Sequence, residues 1–492
     1  MTQVPRLSKS RYMSGDQCHL KLWHDTHARE LAAEPDDTLK AIFATGHEVG
    51  EMACRRYPGG RLVAHDHRHT ADALAETRQL LEAGTASALF EPAFIHQGVL
   101  VRADVLERLP HSGWRLVEVK STTRLKHLFV LDTAVQLWVL RGAGLDVREA
   151  GVLTLNRHYV YEGAEHDIDA LFTLHPVTKE ANALLDGIGT NVSAMLAILA
   201  QRDAPAIEPG DHCFVPYECP YHAHCTRDFV HPDHGVDELP WLDGGRRSEL
   251  KARGIEEIRD IPADFPLTHL QRIVRTAVRE DRAIVHGDVQ HEMARVVPPV
   301  RYLDFEAFSP AIPRFAGTRP YDAIPFLFSV HTQGAGTQPD HVDYLHEGDS
   351  DPRPRLADRL IEALGHRGSI CTYSNYERQV LRSLAAALPD RAQQLRAIEA
   401  RLLDLLPVVR NGYYHPEFRG SFSIKNVLAV LVPGAGYDDL AITDGQTAAA
   451  RYQMALANGD PQERNWTFAD LRAYCARDTL ALARLHEALA VI

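Results

Sequence analysis

Apolar spacing divides the chain into helices and strands. From Asp36, "DDTLKAIFATGHEVGEMACRRYPGG" repeats apolar positions at helical intervals, opens on carboxylates suited to a helix N-terminus and stops at Pro58-Gly59-Gly60. His47 and Glu51, four apart, share one face of that predicted helix. "QGVLVRADVLERLPHSGWRLVEVKSTT" is rich in Val and Leu and carries a turn near Pro110-His111-Ser112-Gly113, which predicts a two-stranded hairpin. "LDTAVQLWVLRGAGLDV" predicts a helix and then a strand, and helical periodicity dominates from about Val177 to Gln201.

"HPDHGVDELPWLDGG" is dense in Pro, Gly and Asp and marks a boundary. Two helical patterns around Gly254 and Pro262 follow; their loose likeness to a helix-hairpin-helix is outweighed by the reading as a helical spacer. Beyond it, strands in "VRYLDFEAF", "IPFLFSVHT" and "SICTYS" alternate with helices, ending in a helix expected from Phe468 and capped by Thr467 and Asp470. The pattern is α/β. It gives an N-terminal domain over 1–232, a helical linker over 233–297 and a C-terminal domain over 298–492.

Composition adds constraints. A chain of 492 residues has room for two or three domains, and 45% hydrophobic with 24% charged residues is ordinary for a folded protein. The start lacks the apolar core of a signal peptide and no stretch reads as a membrane span, so a cytoplasmic protein with no membrane partner is expected. Net charge is -13, so contact with nucleic acid must come from local cations and bound metal rather than a global field. Seven cysteines, three of them six apart at Cys213, Cys219 and Cys225, suit metal ligation better than disulfides in a reducing compartment.

Besides the cysteines, two groups of residues carry chemistry. In "WRLVEVKS", Glu118 and Lys120 are two apart on a strand and share a face, and the hairpin can bring Asp104 beside them. Such carboxylates can hold Mg²⁺ or Mn²⁺ against a phosphodiester, with the lysine stabilising developing charge. In "RYLDFEAF", Asp304 and Glu306 again share a strand face, and Tyr474 and Asp478 lie side by side on the last helix. Between them, "TYSNYERQVL" offers Glu377, with Asp404 in "RLLDLLPVV" as the competitor. Lys425 and Arg419 are candidate phosphate contacts, and Cys54, Cys371 and Cys475 read as buried small residues.

The spacing of Asp104, Glu118 and Lys120, with "GHEVGE" before and "VQLWVL" after, resembles RecB-family nucleases of the PD-(D/E)XK type. That resemblance implies His47, Asp104 and Glu118 at metal, Lys120 in catalysis and Gln136 toward the substrate. A subset including AddB and the CRISPR-associated adaptation exonucleases carries one cysteine before the nuclease core and three after it. Here Cys18 and the later triplet keep that order, which implies a [4Fe–4S] cluster, with zinc aided by His212, His222 or His224 as the alternative. The second group resembles DEDDy 3′→5′ exonucleases of the RNase H-like fold, implying metal at Asp304, Glu306, Glu377 and Asp478 and water positioning by Tyr474.

Taken in order, the motifs resemble a family of bacterial proteins of unassigned function that joins a RecB-like nuclease to an RNase H-like exonuclease domain. The expectation is a metal-dependent nuclease with two active sites acting on single-stranded or duplex DNA ends, in repair, CRISPR adaptation or phage defence. The alternatives are a nucleic-acid-binding or assembly module with one site inactive, or an exonuclease acting on RNA.

Overall fold

The computed structural model describes residues 7–65, 68–230, 232–333, 339–437 and 439–492. Two compact units emerge: residues 1–229 with 310–322, and residues 230–309 with 323–492. Both are α/β.

The first unit is built on a six-stranded mixed sheet in the order Arg61–Leu62, Ala88–Phe90, Val105–Arg108, Trp114–Lys120, Val147–Leu155, Phe172–Pro176. Trp114–Lys120 is central: antiparallel to Val105–Arg108 and parallel to Val147–Leu155, to which the helix His127–Gly142 connects it. That helix buries Phe129, Val130, Ala134, Val135, Leu137, Val139 and Leu140, a nearly all-round apolar surface that fits a helix covered on several sides. Thr178–Leu199 is long and apolar enough, by length and composition, to cross a membrane, which the sequence reading missed. Its Ala181, Ile188, Val192, Met195 and Leu199 instead join the same core.

The expected two-stranded hairpin is three strands. Val99–Arg102 pairs with Ala93–His96 and Leu7–Ser8 in a separate small sheet, and the chain breaks at Asp104 before Val105–Arg108. The break has a local cause. The Asp104 carboxylate accepts the Val119 N–H at 2.7 Å, a donor that a continuous ladder would have given to a backbone carbonyl.

The second unit carries a five-stranded sheet in the order Asp340–Leu345, Ile324–Thr332, Arg301–Phe308, Ile370–Thr372, Leu402–Asp404. The first three strands are antiparallel and the last three parallel. The final helix runs from Pro461 to Leu489 and begins seven residues before the expected Phe468. Asp460 caps it by accepting the Gln462 N–H, and Pro461 fits its first position, where no N–H is needed. Thr467 therefore lies inside the helix, bonding back to Glu463 O.

Candidate active sites

The first centre forms where the central strand meets the Asp104 break. Register pairs Val105 with Val117, which sets Asp104 beside Glu118. Glu118 is 1% exposed and surrounded by donors: Lys120 Nζ at 2.6 Å and Lys9 Nζ at 2.8 Å reach Oε1, and Gln136 Nε2 at 2.6 Å reaches Oε2. Asp132, one helical turn before Gln136, accepts from Lys120 at 2.6 Å and pairs with Lys9 at 3.5 Å. Three carboxylates and two lysines thus share one buried cluster.

Its protons are unevenly held. Burial favours the neutral acid at Glu118, but the two ammoniums outweigh it and keep that carboxyl well below its usual range. Asp104 goes the other way: burial and the Glu118 charge push it up to about 7 against the pull of Lys9 and Lys120. Burial opposes the charge on Lys120, yet Glu118 and Asp132 hold the ammonium on it far above neutrality. A charged Glu118 beside an Asp104 that titrates near neutrality is the asymmetry expected of a functional carboxylate pair.

Asp104, Glu118, Lys120 and Gln136 therefore come together as expected from the sequence, and His47 does not join them. The helix Asp37–Cys54 packs through buried Val49 and Ala53; His47, two residues before Val49, lies roughly 200° around from it and is exposed together with Glu51. Among the described residues, the ligand atoms of His47, Asp104 and Glu118 do not close to within 4.8 Å of one another. Lys9 and Asp132 went unread. Asp132 left a signal, its four-residue spacing from Gln136, whereas nothing in "SKSR" marks Lys9.

The second centre lies on the Arg301–Phe308 strand and the final helix. Glu306, Glu377 and Asp478 are buried beside Asp304, and Glu377 is 3% exposed. The Asp304 and Glu306 carboxyls are driven well above their usual range, first by burial and then by the surrounding acids. Glu377 rises to about 8 and Asp478 to about 6. Lys425, exposed and bonded to Thr443 O, lies 5.3 Å from the Tyr437 ring and offsets the charges on Glu306 and Asp478. One surface lysine against four largely buried acids is a large imbalance. Glu377 Oε2 is buried without a hydrogen-bond partner, an arrangement that a cation would complete.

Tyr437 donates to the Asp478 carboxylate at 2.6 Å, and Tyr474, one helical turn before Asp478, lies close enough to help hold that carboxyl down. Cys475, expected only to pack, also points its thiol at Asp304 Oδ2, 3.3 Å away, and the Asp304, Glu306 and Cys475 ligand atoms lie within 4.8 Å of one another. Glu306 and Tyr376 line an open pocket of about 470 Å³, which gives solutes a route to this face. Arg419, by contrast, is committed to Asp233 at 3.1 Å and to Glu238 and Glu417 at 3.5 Å, which leaves it poorly placed to meet phosphate.

Glu377 and Asp404 have different surroundings. Asp404 Oδ1 accepts the Ser374 N–H at 2.9 Å and the Leu406 N–H at 3.0 Å, capping the helix Leu405–Gly412, while Glu377 adds its charge to Asp304 and Glu306. Asp404→Ala is expected to lower stability by about 1 kcal/mol, the value of a helix cap, and to leave Mn²⁺ uptake intact. Glu377→Gln is expected to weaken uptake more than about tenfold without destabilising the metal-free protein. Titration calorimetry beside thermal melting reads both.

The four predicted cysteine ligands converge in the first unit. Cys18, Cys213, Cys219 and Cys225 line one pocket with His24, His212 and His222, and none is in a disulfide. The N-terminal helices hold the triplet independently of any cofactor: Gln17 Nε2 donates to His212 O and Tyr217 O at 2.8 Å, Tyr221 to Asp25 at 2.8 Å, and Ala33 N to Pro220 O at 2.9 Å. Burial pushes the Cys219 and Cys225 thiols up, and the neighbouring sulfurs of Cys18 and Cys213 push them further. Four soft donors in an apolar pocket fit a thiophilic metal group. Zinc bonds of about 2.3 Å would put tetrahedral sulfurs about 3.8 Å apart. Among the described residues the four sulfurs do not all lie within 4.8 Å of one another.

A family model described as "Domain of unknown function (DUF2779)" matches residues 301–423. The match includes Asp304, Glu306 and Glu377 and stops short of Tyr474 and Asp478. No curated protein matches the chain.

Proposed function

We propose that this protein is a metal-dependent nuclease with two centres, a PD-(D/E)XK-type centre at Asp104, Glu118 and Lys120 and an RNase H-like exonuclease centre at Asp304, Glu306, Glu377 and Asp478. The observation that carries the reading is the second centre: four mutually repelling carboxyls, one with an unpartnered buried oxygen, opening to solvent. Asp304, Glu306, Glu377 and Asp478 would hold divalent ions, which would supply neutralisation of phosphate charge.

The remaining roles belong to the chain. Tyr437 fixes Asp478 in one orientation, with Tyr474 beside it, and both phenols, pushed up by burial and then by the neighbouring acids, stay protonated. Lys425 draws an anionic backbone toward the carboxylate face. In the first centre Lys120 is a fixed cation beside Glu118, able to stabilise charge developing on phosphate. The cysteine cluster tethers the N-terminus to the residues after the core.

A second reading has its own observation. Lys9 and Lys120 together neutralise Glu118, so the first centre is already provided with cations and could bind phosphate without cleaving it. Digestion of 5′- and 3′-labelled single- and double-stranded DNA with Mg²⁺ or Mn²⁺ separates the two. If both centres cut, Lys120→Ala lowers one product polarity on the order of 10²-fold and Asp304→Ala abolishes the other. If only Asp304→Ala matters, the first centre is a binding site; no cleavage by wild type rejects the nuclease reading.

A further inference from the structure

Within the second unit, a pocket that shares no lining residue with the carboxylate centre is built from Trp241, His269, Leu270, His286, Arg410 and Asn411. Its volume of about 340 Å³ falls at the lower end of the range of small-ligand sites. Trp241 is 72% exposed, unusual for the largest apolar side chain, and its φ of 53° places a bulky residue in the left-handed region. The loop is held there. Gln271, in the capping box of the helix His269–Glu280, donates to Pro240 O at 2.9 Å, the carbonyl next to the tryptophan. A held backbone presenting an exposed indole is an observation that points to recognition.

The other walls supply charge. Arg410 Cζ sits 6.0 Å from the Trp241 ring, and among the described residues this guanidinium makes no ion pair. A short antiparallel pair, Ile284–Val285 with Tyr413–Tyr414, brings the following residue His286 against Arg410 and Asn411. The His286 N–H bonds Gly412 O at 2.9 Å, and Gly287 permits the close approach, since a Cβ there would meet Asn411 O at 2.3 Å. His286 Nε2 is left buried with no partner. No carboxylate lines the pocket.

We infer that Trp241, Arg410 and His286 form a docking site for an unpaired nucleobase and its phosphate, retaining single-stranded nucleic acid away from the carboxylate centre. The inference rests on the nuclease reading for its ligand class. An indole face stacks on any base, a guanidinium meets phosphate, and the orphaned imidazole nitrogen can bond a base edge or a phosphate oxygen. Duplex would be a poor occupant, because its bases already stack on one another.

Fluorescence anisotropy tests this with the full chain in EDTA, using labelled oligodeoxythymidylate and oligouridylate. Trp241→Ala is expected to weaken binding about tenfold or more, and Trp241→Phe to stay within about threefold of wild type. Arg410→Ala is expected to lower the slope of log affinity against log salt by about 0.7. A loss on both polymers supports the site as a general single-strand dock, and a loss on one names its nucleic acid. Unchanged affinity in Trp241→Ala, or a wild type that binds neither polymer, overturns it. Hydrolysis of bis-p-nitrophenyl phosphate with Mn²⁺, a substrate too small to need the dock, is expected unchanged in Trp241→Ala; if wild type lacks that hydrolysis, the nuclease reading is what fails.

Discussion

Asp304→Asn should remove Asp304-dependent cleavage and, in the same molecule, make the metal-free protein more stable at pH 8. Asp304 lies among Glu306, Glu377 and Asp478, and each of these acids raises its proton affinity. Removing a ligand of a divalent ion that stabilises the transition state by several kcal/mol costs on the order of 10³-fold in rate. Stability moves the other way. Acids whose folded values lie above the unfolded range bind more protons when folded, so metal-free stability is fully present below about pH 4 and falls as pH rises. The decline passes through about 6 for Asp478 and about 8 for Glu377, and Asp304 and Glu306, also raised by burial and the surrounding acids, add to it. Asn at 304 removes one acid on which folding imposes a proton and should recover about 2 kcal/mol at pH 8. Melting in EDTA across pH 5 to 9 reads this as a shallower decline in the variant.

Added Mn²⁺ tests the same logic from the other side. Wild type should gain about 2.7 kcal/mol at a hundredfold excess over its dissociation constant, and Asp304→Asn should gain little. If metal stabilises neither protein and both show the same pH decline, the four acids are not a cation site.

The chemistry was more legible in the sequence than its environment. Paired residues on one element left a periodic trace: Glu118 with Lys120 and Asp304 with Glu306 at strand spacing, Tyr474 with Asp478 at helical spacing. Where partners come from distant segments, the trace vanishes. Lys9 reaches Glu118 across 109 positions and Tyr437 reaches Asp478 across 41, and neither carries a local pattern. His47 illustrates the converse, because helical spacing located it on a face without saying which face packs; Val49 and Ala53 took that role. Asp460 and Pro461 were a legible cap that the later Thr467 and Asp470 pair obscured.

If the four cysteines hold an iron–sulfur cluster, Cys18→Ser should bleach its visible absorption, lower the iron content and loosen the N-terminus, whereas Cys371→Ser should leave the colour intact. Cys18 closes a loop of 213 − 18 = 195 positions onto the triplet. In the chain-entropy model such a cross-link is worth about 5 kcal/mol, comparable to a domain's net stability. The observed loss should be smaller than that ceiling, because Gln17, Asp25 and Ala33 still bond the triplet segment when the cluster is gone. pH supplies an independent reading. With the Cys219 and Cys225 thiols raised by burial and by neighbouring thiols, cluster assembly must expel protons, so iron uptake should weaken as pH falls below neutrality, about tenfold per unit for each proton released. Zinc uptake would obey the same sign, so colour and iron content are the measurements that distinguish the two metals. A colourless wild type that holds one tightly bound zinc would replace the iron–sulfur assignment while keeping the tether. Equal hydrogen exchange at Ser8–His27 in wild type and Cys18→Ser would remove the tether as well.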